Sequence, residues 1–363
     1  MTGLQIPFTG LKKQYNNLRT EILDATDEVL RSGQLMSGNY TAEFENWLAK
    51  RNHSKYAITC HSGTQALEII AHYYRSQSST NPPRVVVPSM TYVATANAFA
   101  NAGWEIYLAD TDYHGLLDKK KIPQDLSAQA TIVVGLYGAS VDELESGFWA
   151  TDLVIEDGAQ HWLSNNCRRW GNATAISFDP MKNLNSYGNG GAIVTDDMDL
   201  LEFARGYRSN GKPRCDWAGT NSRMSEVDCA QMMVKTQYID QWQDRRQSIA
   251  GYWMGRLKGT GIRALIDNNN FQNHAFHKFV IEVDSRDILK RNLDLKKIET
   301  KIHYEQPVHE LPAYSSCSGP DILSVASAMS RRVLSLPFYP ELTDLEVEYV
   351  IDQVIDHALQ KHS

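Results

Sequence analysis

The sequence contains no long hydrophobic run. Nowhere in its 363 residues do roughly 18 uncharged apolar residues follow one another, which is the length that a membrane-spanning helix needs. The first residues, MTGLQIPFTGLKKQY, also lack the apolar core of a signal peptide. We therefore expect no membrane partner and a cytoplasmic location.

Cysteine is scarce and irregularly placed. The five cysteines are an odd number and form no CxxC pair, the spacing typical of zinc sites and redox motifs. We expect them to be reduced and structural, and we predict no metal site. They are Cys60, Cys167, Cys215, Cys229 and Cys317.

Positive charge is not concentrated anywhere. The chain has 36 basic and 43 acidic residues, a net charge of −7, and no Lys/Arg run that could follow a phosphate backbone. Nucleic acid is therefore not an expected partner. Internal repeats and low-complexity tracts are absent too, which excludes solenoids, while 42% hydrophobic and 22% charged residues are typical of globular proteins.

The first part of the chain alternates helical and strand patterns. From Leu11 to Ser32 apolar residues recur every three or four positions, which predicts a helix ending at Gly33. Short β-branched runs then alternate with helical stretches, which indicates an α/β fold with a mainly parallel sheet. The predicted strands are Tyr56–Cys60, Arg84–Val87, Glu105–Ala109, Thr131–Gly135, Leu153–Glu156, Thr174–Phe178 and Ala192–Thr195.

The C-terminal part predicts a smaller α+β unit. A capping box at Ser225 and Asp228 starts a long helix that continues towards Leu257 and links two domains. A strand at His277–Val283 and a terminal helix at Thr343–Leu359 follow. We place the large α/β domain at residues 1–240 and the small domain at residues 241–363.

Three segments carry possible chemistry. In the first, CHSGTQAL, Ser62, Gly63 and Thr64 lie between a strand and the helix Gln65–Tyr74, where free backbone N–H groups and the helix dipole favour a phosphate. The alternative is an ordinary Ser/Thr helix cap.

The second segment, VIEDGAQ, places Asp157 at the end of an apolar strand. Ligands of open α/β sheets bind outside the carboxyl ends of the strands, so this carboxylate could pair with a protonated ring nitrogen. Such a pairing would help a pyridoxal ring, because a positively charged nitrogen lets the ring accept electrons. Taken alone, Asp157 could equally be a helix cap.

The third segment, SFDPMKN, is followed by the glycine-rich SYGNGG. A lysine that leaves a strand into such a turn, here Lys182, can reach a pocket and form a Schiff base with an aldehyde. Desolvation and nearby cations would lower its pKa and make it a usable base. The alternative is a solvated surface lysine.

Taken together, these segments point to a protein family more specifically than any one of them does alone. In chain order, SGTQAL, PSMTYVATANA, IEDGAQ, SFDPMKN, GNGGAIVTDD and GTNSRMSEVDCAQ resemble the DegT/DnrJ/EryC1/StrS family of nucleotide-sugar aminotransferases, from about Ile6 to the C-terminus. The resemblance implies fold type I, with a mainly parallel seven-stranded sheet. It also implies pyridoxal 5'-phosphate (PLP) as cofactor, alternating with its pyridoxamine form.

The resemblance also implies roles for individual residues. Lys182 would form the internal aldimine and carry protons, and Asp157 would pair with the pyridine nitrogen. The other cofactor contacts would be Gln160 near the phenolic oxygen, Ser62, Gly63, Thr64 and Ser177 at the phosphate, Tyr92 stacked on the ring, and Asn221 reaching the phosphate of the other subunit. The active sites would then be shared in a homodimer.

The C-terminal segment HYEQPVH resembles part of the family's small domain. His303, Tyr304 and His309 could contact the sugar or could pack the domain. Two positions depart from the pattern, since Trp162 and Gly135 stand where the family often has histidine. We therefore expect a different substrate pocket.

The leading interpretation is ping-pong transamination from an amino acid, L-glutamate, to a 3- or 4-keto sugar carried by dTDP or UDP. A keto-cyclitol or another cyclic ketone is the alternative acceptor. A nucleotide-binding oxidoreductase is disfavoured because GNGG lacks the GxGxxG spacing and precedes a strand. Retention of Lys182 and Asp157 argues against a non-catalytic regulator and, for the lysine, against a dehydrase.

Overall fold

The computed structural model describes residues 4–141, 151, 153–164, 171–266, 271–320 and 323–360. Cys167 lies outside these residues. Of the helices in the described part, none combines the length and the hydropathy that a membrane span requires.

Strands and helices alternate from Tyr56 to Ala109, and the described residues from there to Thr195 add four strands with no α-helix between them. The helices are α1 (Leu11–Ser32), α2 (Asn39–Arg51), α3 (Gly63–Gln77), α4 (Ala94–Asn101), α5 (Met198–Tyr207), α6 (Glu226–Thr236), α7 (Ile239–Leu257), α8 (Arg286–Leu295), α9 (Ser324–Arg332) and α10 (Asp344–Gln360). The strands are β1 (Tyr56–Cys60), β2 (Arg84–Pro88), β3 (Glu105–Ala109), β4 (Ala130–Val134), β5 (Leu153–Asp157), β6 (Ala173–Ser177), β7 (Gly191–Thr195), β8 (Arg263–Ala264), β9 (Phe279–Glu282) and β10 (Val333–Leu336).

The central sheet has seven strands in the order β1-β7-β6-β5-β4-β2-β3. The strands from β6 through β3 pair in parallel, whereas β7 runs antiparallel to both of its neighbours, β1 and β6. The predicted α/β class with a mainly parallel seven-stranded sheet is confirmed. The carboxyl ends of the neighbouring strands β5 and β6 lie next to each other, at the same end of the sheet.

Helices cover both faces of this sheet. On one face α3, α4 and α5 pack over Ile58, Val85 and Ile193. On the other face α2 and α6 pack over Ile176, with Phe44 buried between them. Because apolar side chains are buried on both faces, the strands read as continuous hydrophobic runs in the sequence.

A second, three-stranded antiparallel sheet, β10-β9-β8, lies in the C-terminal part. Its core surrounds Trp253 and Phe279, whose rings meet edge to face with centroids 5.0 Å apart. Ile6 from the N-terminal segment belongs to the same core and forms a bridge with Ile298. The N-terminal segment is therefore held by the C-terminal unit.

The prediction of a single long helix from Ser225 to Leu257 is wrong. The chain forms two helices there, α6 and α7, separated at Gln237 and Tyr238. The break lets α6 pack on α1 and α2 while α7 reaches the second core. Ser225 caps α6 as expected, accepting a hydrogen bond from the backbone N–H of Asp228 at 3.0 Å.

The predicted domain boundary, between residues 240 and 241, falls in the first turn of α7. Ile239 at the start of α7 is buried with Phe44 of the first unit, whereas Trp253 is buried in the second. One continuous helix therefore contributes to both cores.

Candidate active site

The helix α3 begins immediately behind the end of β1. Ser62 caps it, because its hydroxyl accepts a hydrogen bond from the backbone N–H of Gln65 at 3.1 Å. Gly63 packs so closely on β6 that a Cβ there would lie 2.7 Å from Cβ of Ser177. This contact brings the helix N-terminus, with its free N–H groups, beside the Ser177 hydroxyl, a suitable cradle for a phosphate.

Asp157 is the last residue of β5 and is buried. Its Oδ2 accepts a hydrogen bond from the Thr95 hydroxyl at 2.7 Å, and its Oδ1 accepts one from the backbone N–H of Ala159 at 3.2 Å. Thr95 Oγ1 is itself 3.0 Å from Thr91 Oγ1. Since Thr95 donates to the carboxylate, Thr91 donates to Thr95. The carboxylate is thus held in one orientation from the α4 side.

Lys182 lies in the turn that follows β6. Its backbone N–H donates to the carbonyl of Asp179 at 2.8 Å. Burial lowers the pKa of its amine below the usual lysine value, and the nearby carboxylates of Asp157 and Asp179 only partly oppose this. A lysine with a lowered pKa carries a larger neutral fraction near pH 7, which suits both a nucleophile and a proton carrier.

Gln160 is held on both sides of its amide. Its Oε1 accepts a hydrogen bond from the backbone N–H of Tyr137 at 2.8 Å, and its Nε2 donates to the Tyr304 hydroxyl at 3.3 Å. Tyr137 has φ of 62°, and its hydroxyl donates to the carbonyl of His303. The ring of Tyr304 lies 5.8 Å, centroid to centroid, from that of Tyr92.

These residues line one cavity of about 260 Å³, which we call the cofactor cavity. Ten of the predicted site residues line it: Ser62, Gly63, Thr64, Tyr92, Asp157, Gln160, Ser177, Lys182, His303 and Tyr304. His303 is buried there, and its Nδ1 is 2.8 Å from the Ser335 hydroxyl. The structure thus brings together segments from β1, β5, β6 and the C-terminal unit.

Two predicted residues lie elsewhere. Asn221 is exposed, forms a bridge with Ser209, and does not line the cofactor cavity. The ring of His309 lies between two hydroxyls, with Nδ1 2.5 Å from Ser89 and Nε2 3.1 Å from Ser327. The structure does not bring His309 to the cofactor cavity; instead its ring links Ser89, at the end of β2, to Ser327 in α9.

The two departures from the family pattern also lie outside the cofactor cavity. Trp162 is buried between Trp47 and Phe178 in the hydrophobic core. A Cβ on Gly135 would lie 2.4 Å from Cγ of His161, so the imidazole of His161 occupies the space beside this glycine. Neither Trp162 nor Gly135 lines the cavity, so the expected change of the pocket does not follow from direct contact.

Sequence reasoning missed four side chains at the site. Thr95 holds Asp157, and Asn189, His277 and Lys278 line the cofactor cavity. The sequence pattern predicts only the start of a strand at His277 and Lys278. Two polar residues directly before a buried strand, Phe279–Glu282, were a usable signal.

The residues present fit PLP. A cradle of backbone N–H groups and hydroxyls suits its phosphate, Asp157 suits a protonated pyridine nitrogen, and the Lys182 amine suits its aldehyde. A Cβ at Gly63 would clash with Ser177, so the glycine lets the N-terminus of α3 come this close to the Ser177 hydroxyl. An α/β sheet carrying such a site at its strand ends defines the class of PLP-dependent transferases.

Comparison with known proteins identifies the family. The model of the DegT/DnrJ/EryC1/StrS aminotransferase family matches residues 16–355, and the chain belongs to this family. Aminotransferases of the family depend on PLP. The curated relatives include aminotransferases of dTDP- and UDP-linked sugars.

Two relatives and one solved structure illustrate the range. The chain is 33% identical to dTDP-3-amino-3,4,6-trideoxy-alpha-D-glucose transaminase of Streptomyces venezuelae, over 98% of this chain and 96% of that one. It is 30% identical to the pleiotropic regulatory protein of Geobacillus stearothermophilus, over 97% and 98%. The crystal structure of S. venezuelae DesV in complex with a ketimine intermediate superimposes with a TM-score of 0.89 at 31% identity, covering 98% of this chain and 99% of DesV.

Proposed function

We propose that this chain transfers an amino group from an amino acid, L-glutamate, to a 3- or 4-keto-deoxyhexose carried by dTDP or UDP. The observation that carries the proposal is the meeting of three groups in one cavity. The Lys182 amine, the Asp157 carboxylate held by Thr95, and the cradle at Ser62–Thr64 are contributed by separate strand ends.

PLP, when bound, supplies an aldehyde for amines and a ring that accepts the electrons left on Cα when its proton departs. The chain supplies the rest. The Asp157 carboxylate would keep a positive charge on the ring nitrogen favourable, and Thr95 holds that carboxylate in place. Lys182 Nζ would hold and move the proton at the reacting carbon, for which its lowered pKa is suited.

The remaining contacts orient the ligands. The backbone N–H groups at the start of α3, with Ser177, would hold the phosphate, while Gln160 hydrogen-bonds Tyr304 at the wall of the cavity. Tyr92, 55% exposed, lies at the open side and is available to stack on the ring. The nucleotide of the acceptor binds outside the cavity, where its binding energy holds the ketone over the reacting atoms.

The proposal includes a homodimer with shared active sites. Asn221 is exposed and lies outside its own cofactor cavity. A contact from Asn221 to a cofactor phosphate therefore requires a second copy of the chain.

The first test is chemical. Borohydride reduction of the protein with PLP, followed by peptide mass spectrometry, should place the adduct on Lys182, and Lys182→Ala should abolish it. Lys235→Met is the matched control, because Lys235 is also a buried lysine with a lowered pKa but does not line the cavity. An adduct on another lysine would contradict the role of Lys182.

The second test concerns the reaction. Addition of L-glutamate should bleach the absorbance band of the bound cofactor, and a panel of dTDP- and UDP-linked keto sugars should then restore it in single turnovers. Restoration by a keto-cyclitol instead would reassign the acceptor. A protein that binds PLP but reacts with no amino acid would show a regulatory rather than an enzymatic role.

A further inference from the structure

A second, smaller cavity adjoins the cofactor cavity. It has a volume of about 40 Å³ and lies between the N-terminal segment at Phe8–Leu11, the turn around Lys182 and the C-terminal unit. Met181, Lys182, His277 and Lys278 line both cavities. We call the smaller one the side cavity. Its position places it next to the amine at which any amino donor must react.

The side cavity is lined by buried polar atoms that lack a partner. Among the described residues, Gln14 Oε1, Asn185 Nδ2, Arg246 Nε and Tyr339 Oη are buried without a hydrogen bond, and all four residues line the side cavity. Buried polar atoms in native proteins are nearly always paired. Three of these four groups can donate, so a ligand that satisfies them must mainly accept hydrogen bonds.

The charges around the side cavity also favour a negatively charged ligand that accepts hydrogen bonds. Lys278 is 7% exposed, and its ammonium lies over the ring of Phe8, 5.4 Å from the centroid. Within the described part of the chain, no carboxylate lies within ion-pair distance of Lys278 or Arg246. Arg246 is held by the carbonyls of Phe276 and Phe338, which accept from Nη1 at 3.3 and 3.0 Å, so its Nε–H stays free.

The pKa of Lys278 records this excess of positive charge. Burial, together with the neighbouring cations of Lys182, Arg246 and Lys301, lowers it to about 7, while Asp179 acts in the opposite direction. His277 and His303 also feel its charge, and burial holds the pKa of both imidazoles below the usual value. Glu341 is the acidic group that lines the side cavity, and burial raises its pKa. An added anion would offset the cations.

We propose that Lys278, with Arg246 beside it, binds a carboxylate of the amino-acid donor in the side cavity. The inference rests on the proposed transamination and adds the residue that recognises the donor. About 40 Å³ accommodates two or three water-sized groups, which matches a carboxylate but not a nucleotide diphosphate. Since Lys182 lines both cavities, a carboxylate in the side cavity leaves the donor nitrogen at the Lys182 amine.

The test separates the two half-reactions. In stopped-flow single turnovers with L-glutamate, Lys278→Met should raise the donor concentration for half-maximal rate about ten- to hundredfold. Lys278→Arg should stay within a few fold of the native protein, because it keeps a cation. In Lys278→Met, the half-saturation of the keto-sugar half-reaction of the preloaded pyridoxamine form should change much less than that of the donor half-reaction.

The matched control is Lys301→Met. Lys301 also lies over the ring of Phe8, 5.1 Å from the centroid, but is exposed and does not line the side cavity. Its removal should leave the donor half-saturation unchanged. If Lys301→Met and Lys278→Met raise the donor half-saturation equally, the effect comes from losing any nearby positive charge, and the proposal is overturned.

Binding without chemistry gives an independent readout. Glutarate, which has two carboxylates and no amine, should bind the PLP-loaded protein in calorimetry and take up a proton near pH 7, because the anion restores the charge of Lys278. Lys278→Met should abolish both the binding and the proton uptake. Undiminished glutarate binding by Lys278→Met would overturn the inference.

The choice of donor distinguishes which carboxylate is bound. An equal loss with L-alanine and L-glutamate assigns the α-carboxylate, whereas a loss confined to L-glutamate assigns the distal one. If the native protein reacts with no amino acid, the proposed function fails. If it reacts and Lys278→Met has native half-saturation, only the role of Lys278 fails.

Discussion

The hydroxyl of Thr95 donates a 2.7 Å hydrogen bond to Oδ2 of Asp157, across 62 residues of sequence. Thr95 lies in the first turn of α4 and Asp157 at the end of β5, so the bond ties a helix to the strand end at which the cofactor is proposed to bind. Both residues are buried. The orientation of the carboxylate is therefore set by the packing of α4 on the sheet.

Thr95→Val should weaken PLP binding. The substitution keeps the shape but removes a buried hydrogen bond to a carboxylate, which is worth about 1.5–3 kcal/mol. A spectroscopic titration with PLP should show the loss, and denaturant unfolding should show a similar decrease in stability. Thr91→Val is the control, since Thr91 contacts Thr95 and not Asp157. An equal effect of both variants would mean that general packing dominates.

Gly63→Ala should impair the phosphate cradle. Its Cβ would lie 2.7 Å from Cβ of Ser177, both on rigid elements, so the helix start must move away from β6. We expect at least a tenfold weaker affinity for PLP, about 1.4 kcal/mol, with little change for pyridoxal, which lacks the phosphate. Gly188→Ala has open space around its Cβ and serves as control. Native affinity of Gly63→Ala would exclude the cradle.

Lys235 should make the stability of the cofactor-free protein depend on pH. It is fully buried in α6, where its ammonium donates to the carbonyl of Asn185 at 2.7 Å and lies 3.7 Å from the ring centroid of Tyr187. Burial lowers its pKa to about 7, with Glu341 opposing. Unfolding restores a lysine pKa of about 10.4, so the unfolded chain binds more protons between these values.

The free energy of unfolding should therefore rise from about pH 7 to about pH 10, as the folded lysine gives up a proton that the unfolded chain retains. Lys235→Met should remove part of this rise, of the order of a few kcal/mol. Urea denaturation at several pH values measures it. Exposed Lys50→Met should keep the native slope, and an unchanged slope in Lys235→Met would contradict a lowered pKa.

Asn221 offers a test of shared active sites. Chains carrying Lys182→Ala and chains carrying Asn221→Ala should each be inactive or weak, but a refolded equal mixture should recover about a quarter of native activity, because half of the dimers are mixed and each has one intact site. Light scattering should show two chains per particle. No recovery in a mixture shown to contain mixed dimers would place each site within one chain.

Most elements of the sheet could be predicted because their signal is local. Runs such as Glu105–Ala109 and Tyr56–Cys60 begin and end where predicted. The helix break at Gln237 and Tyr238 was missed because both sides keep helical periodicity, and the break arises from packing on two different cores. Asn221 and His309 show the limit of predicting sites from sequence, because a motif identifies a residue but not the surface that its side chain faces.

By itself the sequence determined the α/β alternation, the strand ends that carry Ser62, Asp157 and Lys182, and the family to which these segments belong. These features depend on periodicity and on the order of short motifs along the chain. Only the tertiary structure decided that Thr95 holds Asp157, that His309 faces Ser89 instead of the cavity, and that Lys278 joins the Lys182 amine at a second cavity. Such contacts join segments tens to more than two hundred residues apart, and only the packing of helices and sheets determines which side chains meet.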